Sequence, residues 1–176
     1  MEGIILYKSK YGATKKYALW LAELTGFDSM PLADFETNKF SFYDTVILGG
    51  GVYASGIACI PFLKKNFPKL RGKKILVYTC GASPYDKKCF DELVNHNMKE
   101  PLANIPVFYC RGGFDMPAMS LKDRMLCKML RKAVSKKDPA DYEVWEKAIM
   151  EVSETESCDW TDKSYLEPLL DYLKAE

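Results

Sequence analysis

Four short segments of the sequence carry residue types that can grip an anion or the edge of a flat ring. The first, Ser9-Lys10-Tyr11-Gly12-Ala13-Thr14, sets two small hydroxyls, a cation and a glycine directly ahead of a helical stretch. A helix N-terminus offers unpaired N–H groups and a partial positive charge, which together hold a dianion such as phosphate. Ser9 and Thr14 can add hydroxyl donors, and Gly12 lets the backbone come close. A plain capped turn, with Thr14 as the helix cap, explains the same residues. The second segment is Gly49-Gly50-Gly51-Val52-Tyr53-Ala54-Ser55-Gly56. Its glycines let main-chain amides reach the polar edge of a flat ligand, and Tyr53 can lie on the ligand's face or pack at the rim. The third, Thr79-Cys80-Gly81-Ala82-Ser83-Pro84, offers backbone donors to a second edge, and the fourth is Arg111-Gly112-Gly113-Phe114. Cys80 has no basic neighbour in sequence to activate it and reads as a bystander.

Other nucleotide chemistries fit less well. Gly-x-x-x-x-Gly-Lys-Ser/Thr and Gly-x-Gly-x-x-Gly are both absent, which argues against an NTPase and a dinucleotide fold. Asp34 stands 20 residues after Thr14, but without the glycine fingerprint it reads as a solvated loop aspartate. A phosphoryl-receiver domain would need carboxylates at the ends of strands one and three, where this chain has Tyr7-Lys8 and Gly49-Gly50. The six cysteines, at 59, 80, 89, 110, 127 and 158, contain no Cys-x-x-Cys, so no zinc ribbon or redox motif is expected. The single histidine, His96, falls far along a helix and reads as a surface residue.

The elements that must position these segments follow from hydrophobic patterning. Ile4–Tyr7, Val46–Leu48, Ile75–Tyr78 and Val107–Tyr109 are short apolar runs, the pattern of strands buried on both faces. Phe27–Leu32, broken by Asp28 and Pro31, reads as an edge strand. Helical stretches alternate with them. Thr14–Leu24 carries Tyr17, Ala18, Leu21 and Leu24 on one stripe, Pro61–Leu70 opens on a proline, and Tyr85–Met98 follows Pro84. Such alternation implies right-handed crossovers and a parallel sheet, with all four segments on the rim where the strands end. Three more helices are expected afterwards: Ser120 to about Val134, a second beginning at Asp138-Pro139, and a last one behind a Ser164/Glu167 capping box. One domain over residues 1–176 is the expected organisation.

With 176 residues, 48% hydrophobic and 28% charged, the chain can bury a core. No run approaches the roughly 18 apolar residues of a membrane span, and the N-terminal residues read as a strand rather than a signal peptide. Reduced thiols and a cytoplasmic location are expected. The net charge of +1 divides unevenly, +10 over residues 1–137 and −9 over 138–176.

The segment Ser9–Thr14 with the following Lys15-Lys16-Tyr17-Ala18-Leu19-Trp20-Leu21-Ala22-Glu23 resembles the phosphate loop and helix of the flavodoxin-domain family. Val52-Tyr53-Ala54 resembles that family's second flavin loop. Arg111-Gly112-Gly113-Phe114-Asp115 through Leu121-Lys122-Asp123-Arg124-Met125, with Asp159-Trp160, resembles the branch that includes menaquinone-dependent protoporphyrinogen oxidases. The resemblance implies a five-stranded parallel sheet of order 2-1-3-4-5 with extra C-terminal helices, and one FMN bound without a covalent bond. Residues 9–14 would hold its phosphate, and Gly50, Gly51, Val52, Tyr53, Ala54, Ser55, Thr79, Cys80, Gly81, Ala82, Arg111, Gly112 and Gly113 would enclose its ring. Tyr11 departs from the small hydroxyl residue common in flavodoxins. The chemistry would centre on the flavin, with no protein acid or base. Two roles follow from the resemblance. One is an FMN-dependent oxidoreductase acting on a porphyrin-like molecule with a quinone acceptor; the other is a non-enzymatic electron carrier for protein redox partners. No nucleic-acid partner is expected.

Lys122, Arg124, Lys128, Arg131, Lys132, Lys136 and Lys137 crowd into residues 120–137, interleaved with Met125, Leu126, Met129, Leu130 and Val134. Such a helix can lie on an anionic membrane surface, here the inner face. It can also attract a carboxylate-bearing substrate, pair with the acidic C-terminal third, or cover the sheet with a solvated outer face.

Overall fold

The computed structural model describes residues 2–175, so Met1 and Glu176, the ends of the expected domain, lie outside the described residues. Along the chain run β1 (Gly3–Lys8), α1 (Ala13–Thr25), β2 (Asp28–Pro31), β3 (Thr45–Tyr53), β4 (Gly56–Ile57), α2 (Ile60–Asn66), β5 (Lys74–Gly81), α3 (Lys87–Asn97), β6 (Val107–Arg111), β7 (Gly113–Asp115), α4 (Leu121–Val134), α5 (Val144–Glu151), β8 (Ser157–Asp159) and α6 (Glu167–Lys174). The parallel strands lie in the order β2-β1-β3-β5-β6, with β4 folded back on β3. This is the expected flavodoxin-like order.

The continuous apolar runs serve two cores at once. Ile4, Leu6, Val46, Leu48 and Val77 face a layer formed with Ile60, Leu63 and Leu70. Their neighbours Ile5, Tyr7, Ile47, Leu76 and Tyr78 face the opposite layer with Tyr17, Ala18 and Leu21 of α1, Leu166 just ahead of α6 and Leu169 within it. Period-two alternation between two buried faces explains why these strands read as unbroken hydrophobic runs. Leu24, the last member of the expected α1 stripe, stays exposed.

Five helix boundaries differ from the sequence expectation; α3 begins at Lys87 rather than Tyr85, because Asp86 caps it by accepting from the Cys89 N–H at 2.9 Å. The Pro61–Leu70 helix is α only to Asn66 and tightens into a 3-10 turn over Phe67–Leu70, because Pro68 has no N–H to continue the ladder. Asp138-Pro139 starts only a 3-10 turn; α5 begins at Val144, where Glu143 and Glu146 exchange side-chain bonds with each other's backbone. Ser164 caps nothing. Asp162 accepts from the Ser164 N–H and opens a 3-10 turn, and α6 follows at Glu167. Thr14 is not the cap of α1 either; that position belongs to Gly12.

The ribbon of β7 and β8 went unforeseen, since Ser157–Asp159 is short and carries no alternation. It ties the C-terminal segment to the sheet's last strand. A satellite core of Phe114, Met116 and Val152, with Met119, Ile149 and Trp160 packed on it, sits beneath.

Helix α4 does not cover the sheet. Its inward face is Cys127, Arg131 and Val134, with Arg131 donating to the Ile149 and Val152 carbonyls at 2.8 Å. Lys128 and Arg131 pair with Glu154, and Lys137 with Glu146 at 2.5 Å. Part of the charge asymmetry is therefore internal pairing. Leu121, Met125, Leu126, Met129 and Leu130 point to solvent, Leu121 being 83% exposed.

Candidate functional site

All four candidate segments lie at the carboxyl ends of adjacent strands, and the strand order reverses at β1/β3, the place where open α/β sheets bind ligands. Ser9–Thr14 follows β1 and Gly50–Ser55 ends β3, while Thr79–Ala82 closes β5 and Arg111–Gly113 links β6 to β7.

Gly12 makes the first loop possible. Its φ is +100°, a conformation that strains any residue with a Cβ, and an added Cβ would meet nothing within 4 Å. The space ahead of α1 is thus open. No side chain caps the helix. Its first N–H groups therefore remain available, while the Gly12 N–H itself is donated to Ser9 Oγ at 3.2 Å. A cavity of about 650 Å³ opens here, lined by Ser9, Gly12 and three lysines, Lys8, Lys10 and Lys15. Thr14 is buried, with its hydroxyl against the Cys80 thiol and its carbonyl accepting from the Tyr78 hydroxyl at 2.8 Å. Tyr11 turns outward: its hydroxyl donates to the carboxylate of Asp123, which also holds the Lys10 ammonium. The Lys10 contact keeps the Asp123 carboxyl below its ordinary range, and Asp123 raises Lys10 in return.

The second loop is mostly strand. β3 continues through the glycines to Tyr53 and reverses over Ala54 and Ser55, both with positive φ, into β4. Two left-handed residues in succession give the tight twisted turn of a β-hairpin. A buried amide fastens it. Asn97 of α3 donates to the Ser55 carbonyl at 2.8 Å and accepts from the Ile57 N–H at 2.9 Å. Gly49 and Gly50 answer to packing as well, since a Cβ would run into the Tyr78 ring at 2.1 Å or the Cys59 backbone at 2.7 Å. The Tyr53 ring folds back over Gly51, with the Lys10 ammonium 5.8 Å from its centroid. Burial pushes the Tyr53 hydroxyl's pKa up.

The third and fourth loops are bonded to each other. The Gly112 N–H donates to the Gly81 carbonyl at 2.7 Å, and Arg111 Nε to the Ala82 carbonyl at 3.3 Å. Thr79 reaches across to the Gly50 carbonyl at 3.0 Å. At Gly112 a Cβ would sit 3.2 Å from the Ala13 Cβ, so the fourth loop lies directly against the start of α1. Tyr17 locks this corner: its hydroxyl donates to the Arg111 carbonyl at 2.6 Å and accepts from the Asp162 N–H at 3.1 Å. Lys16 holds Asp159 at 2.8 Å and, with Thr161, lowers its pKa to about 2. Cys80 is inert, its thiol pushed up to about 12 by burial.

Sequence reasoning gave no fastening role to Asn97, Tyr17, Asp123 or Asp159, the residues that hold the loops. Tyr17 was assigned only to a core stripe, and Asn97 follows an exposed His96 with nothing in the pattern to mark it.

A three-layer parallel α/β fold with an open helix N-terminus at the switch point defines an anion-anchored cofactor protein. The match to the flavodoxin-domain family model runs over residues 4–143, most of the chain, and the chain belongs to that family. No curated protein sequence matches it. Among solved structures it resembles a flavodoxin from the domain Archaea (16% identity, 73% of this chain and 92% of that one, TM-score 0.44). Similar values relate it to the two-electron reduced Megasphaera elsdenii flavodoxin (18%, 61% and 82%, 0.43) and to a flavoprotein in complex with FMN from Lactobacillus acidophilus NCFM (15%, 62% and 91%, 0.41). At that level the structures carry no weight of their own; membership rests on the sequence match. Membership makes FMN the cofactor and electron transfer to a redox partner its work. The residues fit: the uncapped start of α1, the open space before Gly12 and the lysine-lined cavity suit a phosphate dianion.

Proposed function

We propose that the chain is one flavodoxin-like domain over residues 1–176 that works as an FMN-dependent oxidoreductase, taking electrons from a porphyrin-like molecule and passing them to a quinone at a membrane surface. FMN, when bound, supplies the redox chemistry, accepting and releasing electrons through its ring. The protein's part is to hold and enclose. The start of α1, with Thr14 serving through its N–H because its hydroxyl is turned against Cys80, and Ser9 belong to the phosphate, and Gly50–Ser55, Thr79–Ala82 and Arg111–Gly113 to the ring.

The observation that carries the quinone and membrane reading is the outward face of α4. Five large apolar side chains stand exposed within this one helix. Among the described residues Lys122, Lys132 and Lys136 beside them have no carboxylate partner. An apolar ridge rimmed by lysines suits the headgroup boundary of an anionic bilayer, each cation near the surface adding about 1 kcal/mol. Asp123, in the first turn of the same helix, holds Lys10 and Tyr11 of the phosphate loop. A bilayer under α4 would therefore lie beside the flavin site, where a lipid-dissolved quinone could reach it. No helix among the described residues is long and apolar enough to cross a membrane, so the contact proposed is peripheral, from the cytoplasmic side.

Two measurements test the reading. FMN-loaded protein should oxidise protoporphyrinogen with menaquinone as acceptor. It should also cosediment with phosphatidylglycerol vesicles and not with phosphatidylcholine ones, losing that binding in Leu121→Asp/Met125→Asp. Absent turnover, together with salt-sensitive reduction by a protein donor, would instead establish the carrier role.

A further inference from the structure

A second cavity, of about 410 Å³, lies behind the third and fourth loops, between Pro84, Arg111 and Trp160 on one side and α5 on the other. All of its lining except Pro84 and Arg111 comes from beyond residue 143, past the family match. The volume falls within the range of small-molecule sites.

Arg111 is the feature that defines it. The guanidinium carbon lies 4.4 Å from the centroid of the Trp160 ring, and Nε donates to the Ala82 carbonyl. Trp160 is itself fixed by its backbone N–H on the Gly112 carbonyl at 3.1 Å. The fork is therefore oriented on two sides by groups that do not neutralise it. Among the described residues its two terminal nitrogens have no hydrogen-bond acceptor and the charge has no carboxylate partner, although the residue is only partly exposed. Most other cations near the loops are paired: Lys10 with Asp123, Lys16 with Asp159 and Lys88 with Glu143. A planar, immobilised and uncompensated guanidinium is the group that takes a carboxylate through two parallel bonds.

We infer that this cavity binds a small organic monocarboxylate, its carboxylate on the Arg111 fork and its apolar body along Val144, Ala148 and Val152 of the facing wall. Lys147 adds a second cation to the lining. Glu151 and Glu156 also line the cavity and disfavour a second carboxylate on the same ligand. The site shares Arg111 and the 79–84 loop with the flavin pocket, so a ligand here lies next to the ring's expected place. Binding itself does not depend on the porphyrin or quinone assignment.

Titration calorimetry of FMN-saturated protein with 2-naphthoate tests this. One site is expected, with 2-naphthamide at least tenfold weaker. Arg111→Gln should weaken 2-naphthoate at least tenfold, and Ala148→Glu, which places a carboxylate on the α5 wall without touching Arg111, should abolish binding. Circular dichroism and urea melts establish that each variant is folded. The inference is overturned by absent 2-naphthoate binding, by equal affinity for the amide, or by a folded Ala148→Glu or Arg111→Gln variant that binds as the parent does. Retained FMN binding in any of those cases leaves the flavin reading standing.

Discussion

Asn97→Leu should loosen the flavin-side hairpin while leaving the sheet intact. The amide makes three bonds: to the Ser55 carbonyl at 2.8 Å, from the Ile57 N–H at 2.9 Å, and to the Leu93 carbonyl of its own helix at 2.9 Å. Leucine has similar bulk and makes none of them. The Leu93 carbonyl has other helical partners, so the loss falls on the hairpin. A net hydrogen bond contributes about 1 kcal/mol, and a buried donor left alone costs about 1–3 kcal/mol; Ile57 is 2% exposed. The sum is about 3 kcal/mol, a large share of a stability of roughly 5–15 kcal/mol. The turn it secures is itself unfavourable, with Ala54 at φ 47° and Ser55 at φ 64°. Each left-handed residue costs about 1 kcal/mol, so an unfastened turn will relax. Affinity for FMN should then fall about tenfold, the equivalent of roughly 1.4 kcal/mol. Asn97→Asp keeps the acceptor for Ile57 but sets a buried carboxylate oxygen against the Ser55 and Leu93 carbonyls, so it should cost at least as much stability as Asn97→Leu. Urea melts and flavin-fluorescence titration read both quantities. A stability change under about 0.5 kcal/mol with unaltered FMN affinity would refute the reasoning, since changes that small are ordinary for surface sites.

Three further outcomes are expected. Ser55→Gly should stabilise the protein by about 1 kcal/mol in urea, because glycine adopts positive φ without strain, and a destabilised variant would show that the turn has another geometry. Asp159 has a folded pKa lowered to about 2. Its ion pair with Lys16 therefore contributes stability above the unfolded carboxylate pKa, and that contribution disappears as pH falls through about 2. Because the pair is well exposed, Asp159→Asn should cost no more than about 1 kcal/mol at pH 7, a cost that fades as pH falls toward and through about 2, which paired chemical melts will show. Native protein at pH 8 should leave Cys59 and Cys80 unalkylated by iodoacetamide, since both thiols are buried and pushed to about 12, and prompt labelling of Cys80 by mass spectrometry would contradict this.

The sheet was readable because its strands are buried on both faces. Ile4–Tyr7 and Val46–Leu48 admit no polar residue, and parallel pairing follows from helical crossovers at regular spacing, while the order 2-1-3-4-5 is what the family resemblance implies. The loops were readable in place but not in detail. Gly49 and Gly50 announce close approach without saying to what, and the structure answers with Tyr78 and Cys59. Long-range fasteners leave no local trace. Tyr17 meets Asp162, 145 residues away, and Tyr11 meets Asp123, 112 away; neither spacing has a period. Helix α4 shows the limit of periodicity most plainly. An apolar stripe tells that one face avoids polar neighbours, yet here that face looks outward, and arginine and cysteine make the contact with α5.

The grip on phosphate is measured most directly by comparing FMN with riboflavin, which differ only in that group. Two charge-assisted bonds from the start of α1, at roughly 1.5 kcal/mol each, amount to about a hundredfold in affinity. Fluorescence quenching should show FMN binding at least that much more tightly than riboflavin, with the gap narrowing as salt is added. Equal affinities for the two flavins, or failure of both to bind, would contradict the assignment of residues 9–14.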